Sequence, residues 1–497
     1  MKILLINPHI TSDRKEFVQV LNEPLGLICL ATYIQTTHEV RILDLYAKGF
    51  DKINERADGR VTRGISDEKE VANLIQEGNP DIIGIHCNFT GFANDAMEVA
   101  AIAKRASPNA VVVMGGAYAS QDSKNILDKH SCIDYIVRGE GEVTFRELIR
   151  AIQSGGAVSS ICGIAYKDKN GDVLITEDRE FIKDIDSLPI PDRAFIDMKT
   201  YFRLNEKSFP LARQTPVATI MASRGCPYNC IFCSTKNMWG RTWRGRSPES
   251  VVREIEDLVA NYGAKEIVFY DDQFVVDKKW VNEICDLIIE RKINIPLSLP
   301  NGISVWSIDE ELLKKMKLAG FYRLHLPIES GNENTLKFIR KPIKLDAVLR
   351  VIRYASKMGY WISANFIIGF PYETKEDIKR TIDFAYNCGV DYPFFFIAKP
   401  FPGSEMYDVY KDNSLLKSKI DASSSFFVAK ADTFHLMSEE LSKIRRDAEK
   451  GFMKHKVLWC LKPRNFIDYI WPKVSTLDGL RYFVKVIWSV LLKKHRR

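Results

Sequence analysis

Twice along this chain, short unbroken apolar runs alternate with stretches of helical period. In the first passage the apolar runs are 2–6, 40–43, 81–85, 110–114 and 135–137. Helix-like stretches at 25–35, 67–76, 93–105, 124–129 and 143–152 lie between and after them. Apolar strands, each followed by a helix, predict a parallel sheet covered on both faces. We therefore expect an α/β fold that opens with a Rossmann-like (flavodoxin-like) domain over residues 1–152. The alternation resumes with strands at 217–221, 266–270, 297–299, 323–328, 363–368 and 394–398. Helices are expected at 248–261, 277–290, 309–318, 345–358 and 375–387. Six strand–helix units fall short of the eight of a complete barrel and predict a partial one over residues 214–410. Between the two passages, residues 153–213 read as a connector. They carry an Asn170-Gly171 hairpin signal and then a stiff stretch at 188–192 with two prolines.

Ligands of parallel sheets bind at the carboxyl ends of the strands. In the first domain those ends carry Asn7 and His9, Asn88 and Thr90, Gly115, Gly116 and Tyr118, and Gly139, Glu140 and Gly141. In the second, the loop after the first strand reads Cys226-Pro-Tyr-Asn-Cys230-Ile-Phe-Cys233. Three thiolates on one short loop can bind three irons of a [4Fe-4S] cluster, whose usual full set is four Cys ligands. One iron then stays open. Structural zinc normally takes four closed ligands, and this loop has no nearby His to complete such a set. A disulfide framework does not fit an odd triplet in a chain without a secretion signal. The other seven cysteines are scattered singly and read as small buried hydrophobes.

The triplet resembles the signature of the radical S-adenosylmethionine (SAM) enzymes, whose open iron chelates the amino and carboxylate groups of SAM. That resemblance implies a six-unit partial barrel and assigns SAM contacts to several rim positions. Phe232 matches the aromatic residue beside the last Cys, and Asp271 and Asp272 end the second strand, where polar groups meet the ammonium of SAM. Glu329 and Ser330 end the fourth strand and suit ribose or methionine contacts. Asn365 and Gly369 mark the fifth strand and its glycine motif, and Pro400 opens the closing loop. Acidic pairs and Ser-Gly turns at strand ends also serve as helix caps and turns, so each is a weak signal alone.

A parallel-sheet domain ahead of such a barrel resembles the cobalamin-binding radical SAM class. The likeness runs through 24–27, Gly115-Gly116, 138–142 and the proline connector. It implies that Asn7, His9, Asn88, Thr90, Gly115, Gly116, Tyr118, Gly139, Glu140 and Gly141 line a cobalamin site. Glycines there would let backbone approach a large flat ring. Many cobalamin domains place the cobalt-ligating His in Asp-x-His-x-x-Gly. Here His9 stands in Asn7-Pro-His-Ile-Thr-Ser12, with Asn for the Asp and Ser for the Gly. The acidic partner that would orient the imidazole is missing, which predicts a polar contact from His9 to the corrin rather than a cobalt bond.

Net charge is +7, but residues from 451 onward carry eleven Lys or Arg against Asp468 and Asp478. The remainder is near neutral, which argues against a nucleic-acid surface. The segment 411–497 is expected to be helical. Over 480–493, Arg481, Lys485, Ser489 and Lys493 recur every four residues among apolar ones. Such a helix suits a membrane interface. The first apolar run is too short for a signal-peptide core and no run is long enough to span a bilayer. A cytoplasmic protein, peripheral on the cytoplasmic membrane face, is expected.

The resemblance implies an enzyme with a [4Fe-4S] cluster, SAM and cobalamin, served by an electron donor such as flavodoxin or ferredoxin. It points to methylation of an unactivated carbon of a small-molecule or lipid substrate. The alternative is a cyclase or oxidase of a lipid or tetrapyrrole without methyl transfer. An RNA methylthio-transferase would carry a second Cys triplet and an RNA-binding module, and neither is visible. A mere cobalamin sensor would leave the triplet without purpose.

Overall fold

The computed structural model describes residues 1–12, 21–209, 211–416 and 427–495, and side chains over all of these except 206–208 and 489–495. It divides into two compact units. The first takes Met1–Leu204 with Thr235–Gly240, and the second takes the described chain from 205 onward apart from that segment.

The first unit is a seven-stranded sheet. Its strands are β1 (Lys2–Asn7), β3 (Glu39–Asp44), β6 (Ile82–His86), β7 (Val111–Gly115), β8 (Tyr135–Val137), β9 (Ile164–Lys167) and β10 (Val173–Ile175). The order across the sheet is β10-β9-β8-β7-β6-β1-β3, with the five strands from β8 to β3 parallel. Side-chain alternation sends Leu4, Ile6, Ile83, Ile85 and Val112 into one core, and Ile3, Leu5, Ile82 and Val113 into the core on the other face. Burial on both faces is why these strands read as unbroken apolar runs. Two features depart from the sequence reading. The hairpin β9–β10, expected within the connector, pairs antiparallel with β8 and extends this sheet. A small antiparallel sheet of β2 (Ile10–Ser12), β4 (Ile53–Glu55) and β5 (Val61–Arg63) also forms. Strands of three residues leave too little alternation to be read.

The second unit holds β11 (Val217–Ile220), β14 (Glu266–Phe269), β15 (Leu297–Leu299), β16 (Phe321–Glu329), β17 (Trp361–Ile368) and β18 (Tyr392–Ile397), all parallel and in sequence order. These are the six expected strands. Four of the helices between them start at side-chain caps, Ser247, Asp277, Asp309 and Thr374, each accepting a backbone N–H one turn on. A two-stranded ribbon, β12 (Ser223–Arg224) with β13 (Arg244–Gly245), closes the base of the Cys loop.

The C-terminal helix Leu477–His495 lies against the amino ends of the barrel strands. The Tyr482 ring meets Tyr322 of β16 at 5.5 Å and Trp361 of β17 at 5.1 Å. Its hydroxyl donates to Leu211 O at 2.6 Å, and Lys485 donates to Ala212 O at 2.7 Å. The helix expected at a membrane interface thus spends one face on the barrel. Leu477, Leu480, Val484, Ile487 and Trp488 remain exposed. Ser489 and Lys493 of the expected polar stripe lie outside the described side chains, and Arg496 and Arg497 outside the described residues. Among the described residues no helix is long and apolar enough to cross a membrane.

Candidate functional site

Cys226, Cys230 and Cys233 sit, half-buried and free, on the loop after β11, at the carboxyl end of the barrel. Gly225 at φ +89° turns the chain into the loop, a backbone shape that favours glycine. Ile231, between the second and third cysteines, is the anchor: its N–H donates to Ile339 O and its carbonyl accepts from Met406 N–H. Tyr228 packs edge-on against Trp306 at 4.7 Å. Burial pushes the Cys226 thiol up to about 12 and also raises that of Cys230, which the Lys341 charge opposes. The Cys226 and Cys230 thiols, held up by burial, are costly as free thiolates. Bound to iron the same sulfurs are neutralised, so this donor set fits an iron–sulfur cluster.

Facing the loop is a buried ion pair. Lys341 Nζ lies 3.1 Å from Glu329 Oε1, both within the barrel rim. Burial pulls the Lys341 ammonium down, but Glu329 and the nearby thiols outweigh it and raise the pKa overall. Glu329 adopts φ +68°, and its Oε2 is buried with no hydrogen-bond partner among the described residues. An acceptor held unsatisfied at the rim fits a hydrogen-bonding ligand such as a ribose or an ammonium. Lys341 carries no motif visible in one sequence. It follows Glu329 by twelve residues, and the fold alone brings it back beside the thiols.

The other rim residues separate into two groups. Phe232 packs at 6.1 Å from Phe370, and Asp272 is half-buried, its carboxyl pushed up to about 6 by burial. Both border the Cys loop. Asp271, in contrast, is occupied: it accepts from Ala222 N–H at 3.1 Å and from the Ser223 hydroxyl, fixing the start of the ribbon. The Ser330 hydroxyl is taken by Thr381 at 2.9 Å and by Asn332 N–H. Gly369 is also used internally. Its N–H donates to Glu373, its carbonyl accepts from Tyr410, and a Cβ there would press on Leu441 at 3.1 Å. Asp271, Ser330 and Gly369 each take part in hydrogen bonds that fix the rim. Pro400 is buried just beyond β18.

Inside the barrel, Ile368 and Ile397 pack outward onto Ile378 and Leu441. Alternation then turns Ser363, Asn365, Phe394 and Phe396 inward. His325 Nδ1 meets Ser363 Oγ at 2.8 Å, its ring lies 5.9 Å from Phe394, and Phe394 and Phe396 stack at 6.3 Å. Burial drives the His325 pKa down to about 3, so this wall carries a neutral imidazole among aromatic faces.

In the first unit, Asn7, Asn88, Gly115, Gly116 and Gly139 lie at the carboxyl edge of the sheet as expected. Asn88 Oδ1 accepts from Ala117 N–H, Tyr118 donates to Asp122, and Gly139 N–H donates to Ser120 Oγ. Thr90 is half-buried in the turn Thr90–Phe92. Gly139, at φ +71°, has open space where a Cβ would stand, which fits close approach by a large ring. Gly116 has another reason: a Cβ there would strike Cys87 O at 2.7 Å. Glu140 is buried and accepts from Ile182 N–H, and Gly141 starts the next helix close to Leu30.

His9 departs most from expectation. It is fully buried, its Nε2 3.5 Å from Asp95 Oδ1 and 3.8 Å from Glu98 Oε2, with Arg56 alongside at 3.3 Å. Burial lowers its pKa, and the two carboxylates more than reverse that. Through Nε2 the imidazole ties the start of the small sheet to the helix Ala93–Ala106.

Comparison with known proteins gives two profile matches, the Radical SAM superfamily over residues 220–385 and the B12 binding domain over 18–149. An uncharacterized methyltransferase of Pyrococcus horikoshii is 34% identical over 459 residues, covering 92% of this chain and 94% of that one. The cytidylyl-2-hydroxyethylphosphonate methyltransferase of Streptomyces wedmorensis is 30% identical over 435 residues, 82% of this chain and 80% of its own. Among solved structures, the radical S-adenosylmethionine methyltransferase TsrM of Kitasatospora setae, with cobalamin and a [4Fe-4S] cluster bound, superposes with a TM-score of 0.68. It is 19% identical, covering 84% of this chain and 76% of that one, so the likeness is one of fold.

Proposed function

This chain belongs to the cobalamin-dependent radical SAM enzymes, and on that footing we propose that it is a C-methyltransferase acting on an unactivated carbon of an apolar small molecule or lipid. The observation that carries the reading is similarity, over four fifths or more of each chain, to two methyltransferases, one of them named for a phosphonate. When bound, the cluster with SAM supplies a hydrogen-abstracting radical, and cobalamin supplies the methyl group. Cys226, Cys230 and Cys233 would hold the cluster. Asp272, Glu329, Asn365 and Phe232 would face SAM, and Lys341 would balance the charge of thiolates and carboxylate. The inward aromatic wall of Phe394 and Phe396, with a neutral His325, would exclude water and favour an apolar substrate over a charged one.

The lipid reading draws its support from the tail. Val457, Leu458, Leu461, Ile467, Val484 and Trp488 are exposed apolar residues in a segment with a surplus of nine positive charges. An anionic lipid surface complements both properties. A flavodoxin- or ferredoxin-type donor would deliver the electron to the cluster. Stacked aromatic rings also suit a flat ring substrate, which keeps cyclisation or oxidation of a tetrapyrrole as the second reading.

The test is anaerobic reconstitution of the full chain with iron, sulfide, cobalamin, SAM and reductant, given a membrane-lipid extract. Product mass decides. A gain of one methyl in place of hydrogen supports methyl transfer, hydrogen loss without added carbon supports the cyclase reading, and absence of deoxyadenosine overturns both.

A further inference from the structure

The carboxyl ends of the central strands of the first sheet carry one continuous row. β1 and β3 pair Asn7 with Asp44, and β1 and β6 run in register through Ile6 and Ile85, so Asn7 and His86 come next, side by side. β6 and β7 pair His86 with Gly115. Two residues earlier, Ile42, Leu5 and Val113 all point into the same core. Strand alternation therefore puts Asp44, Asn7, His86 and Gly115 on one side of the sheet, at its end.

A hydrogen-bond relay runs along this row. Asp44 is fixed by Ala47 N–H at 2.8 Å and by the Tyr201 hydroxyl at 2.6 Å, and it also takes a hydrogen bond from the Asn7 side chain. With its amide N–H given to a carboxylate, Asn7 turns its oxygen to His86 Nδ1, 3.3 Å away. An amide oxygen only accepts, so Nδ1 carries the proton and the lone pair sits on Nε2. Among the described residues Nε2 has no hydrogen-bond partner, and it is not among the sealed, unsatisfied atoms. Burial lowers the His86 pKa to about 4, which keeps the ring neutral. Beside it stands Gly115, where even a Cβ would meet nothing nearer than Val137 O at 3.6 Å. A side chain there would only just touch Val137, so glycine leaves the imidazole's neighbour small.

We propose that His86, through Nε2, is the imidazole this chain offers to the cobalt of a bound corrinoid, with Asn7 and Asp44 as its orienting partners. The proposal rests on the corrinoid reading of this domain. Ligation donates one lone pair to an axial position, displacing water or the cofactor's own base, with no change of oxidation state. A ligating His is ordinarily held by a hydrogen bond on its other nitrogen, often from a carboxylate relay. Here the acid missing from the His9 segment is replaced by Asp44 acting through Asn7, and the imidazole comes from a different strand.

The experiment is electron paramagnetic resonance of cob(II)alamin bound to the full chain. Wild type is expected to show a nitrogen triplet that becomes a doublet when the protein's histidines carry nitrogen-15. His86→Ala should lose the coupling while still holding corrinoid, and His9→Ala should keep it. Should His86→Ala fail to fold, the near-isosteric His86→Asn serves in its place. A triplet that persists under labelling, no coupling in wild type, or coupling that survives in the His86 variants overturns the proposal. Bound corrinoid without coupling overturns this inference alone, whereas no corrinoid uptake by wild type overturns the corrinoid reading with it.

Discussion

Lys341 brings a buried ammonium into a rim otherwise made of thiols and carboxylates, and its effect should be read on the cluster. A positive charge beside the cluster stabilises the added electron, so Lys341→Met should move the midpoint potential to more negative values. Each tenfold change in the reduction equilibrium corresponds to about 60 mV for one electron. A redox titration followed by electron paramagnetic resonance measures it, and an unchanged potential would reduce Lys341 to a partner of Glu329. His325 gives a prediction on pH. Its folded pKa is about 3 against an ordinary 6.5, so the unfolded chain takes the proton first as pH falls. The stability it confers is complete above 6.5 and is lost progressively from 6.5 towards 3. Between pH 7 and pH 5 that loss is about 2 kcal/mol. Urea unfolding at both pH values should show a smaller loss, by about that amount, in His325→Gln.

At the scale of elements, the C-terminal helix has two faces with separate tasks. Tyr482 is buried between Tyr322 and Trp361 and donates to Leu211 O. Tyr482→Ala should destabilise the barrel by about 3–5 kcal/mol, as large aromatic truncations do. Val484 and Trp488, 57% and 64% exposed, touch water instead. Val484→Glu with Trp488→Glu should leave the unfolding transition in place and release the protein from anionic vesicles in a flotation assay. Equal vesicle binding by that variant would confine the helix to a packing role. The Cys loop is the other element whose form depends on distant chain. Its ends are closed by the β12–β13 ribbon and its middle is held by Ile339 and Met406.

In the whole molecule, each unit has its own sheet and its own core, so each should hold its cofactor independently. Cys230→Ala should abolish cluster assembly and SAM cleavage, yet retain close to one corrinoid per chain after anaerobic loading, as measured by absorbance. Loss of corrinoid in that variant would show the two sites to be coupled.

The alternation of apolar strand and amphipathic helix, and the spacing of Cys226, Cys230 and Cys233, are local properties. They are legible because each depends on neighbours within a few residues: pleat, helix period, caps such as Asp277 and Thr374, and one short loop. Which polar residue at a strand end is free for a ligand is not local. Asp271 is bonded by Ser223 and Ser330 by Thr381, and His9 is enclosed by Asp95 and Glu98, while among the described residues Glu329 and His86 each keep an unshared atom. Those partners lie tens of residues away along the chain, and only strand order and register bring them within reach. The tail shows the same division. Its sequence determines a greasy, basic helix, but only the aromatic pocket between β16 and β17 decides which side turns inward.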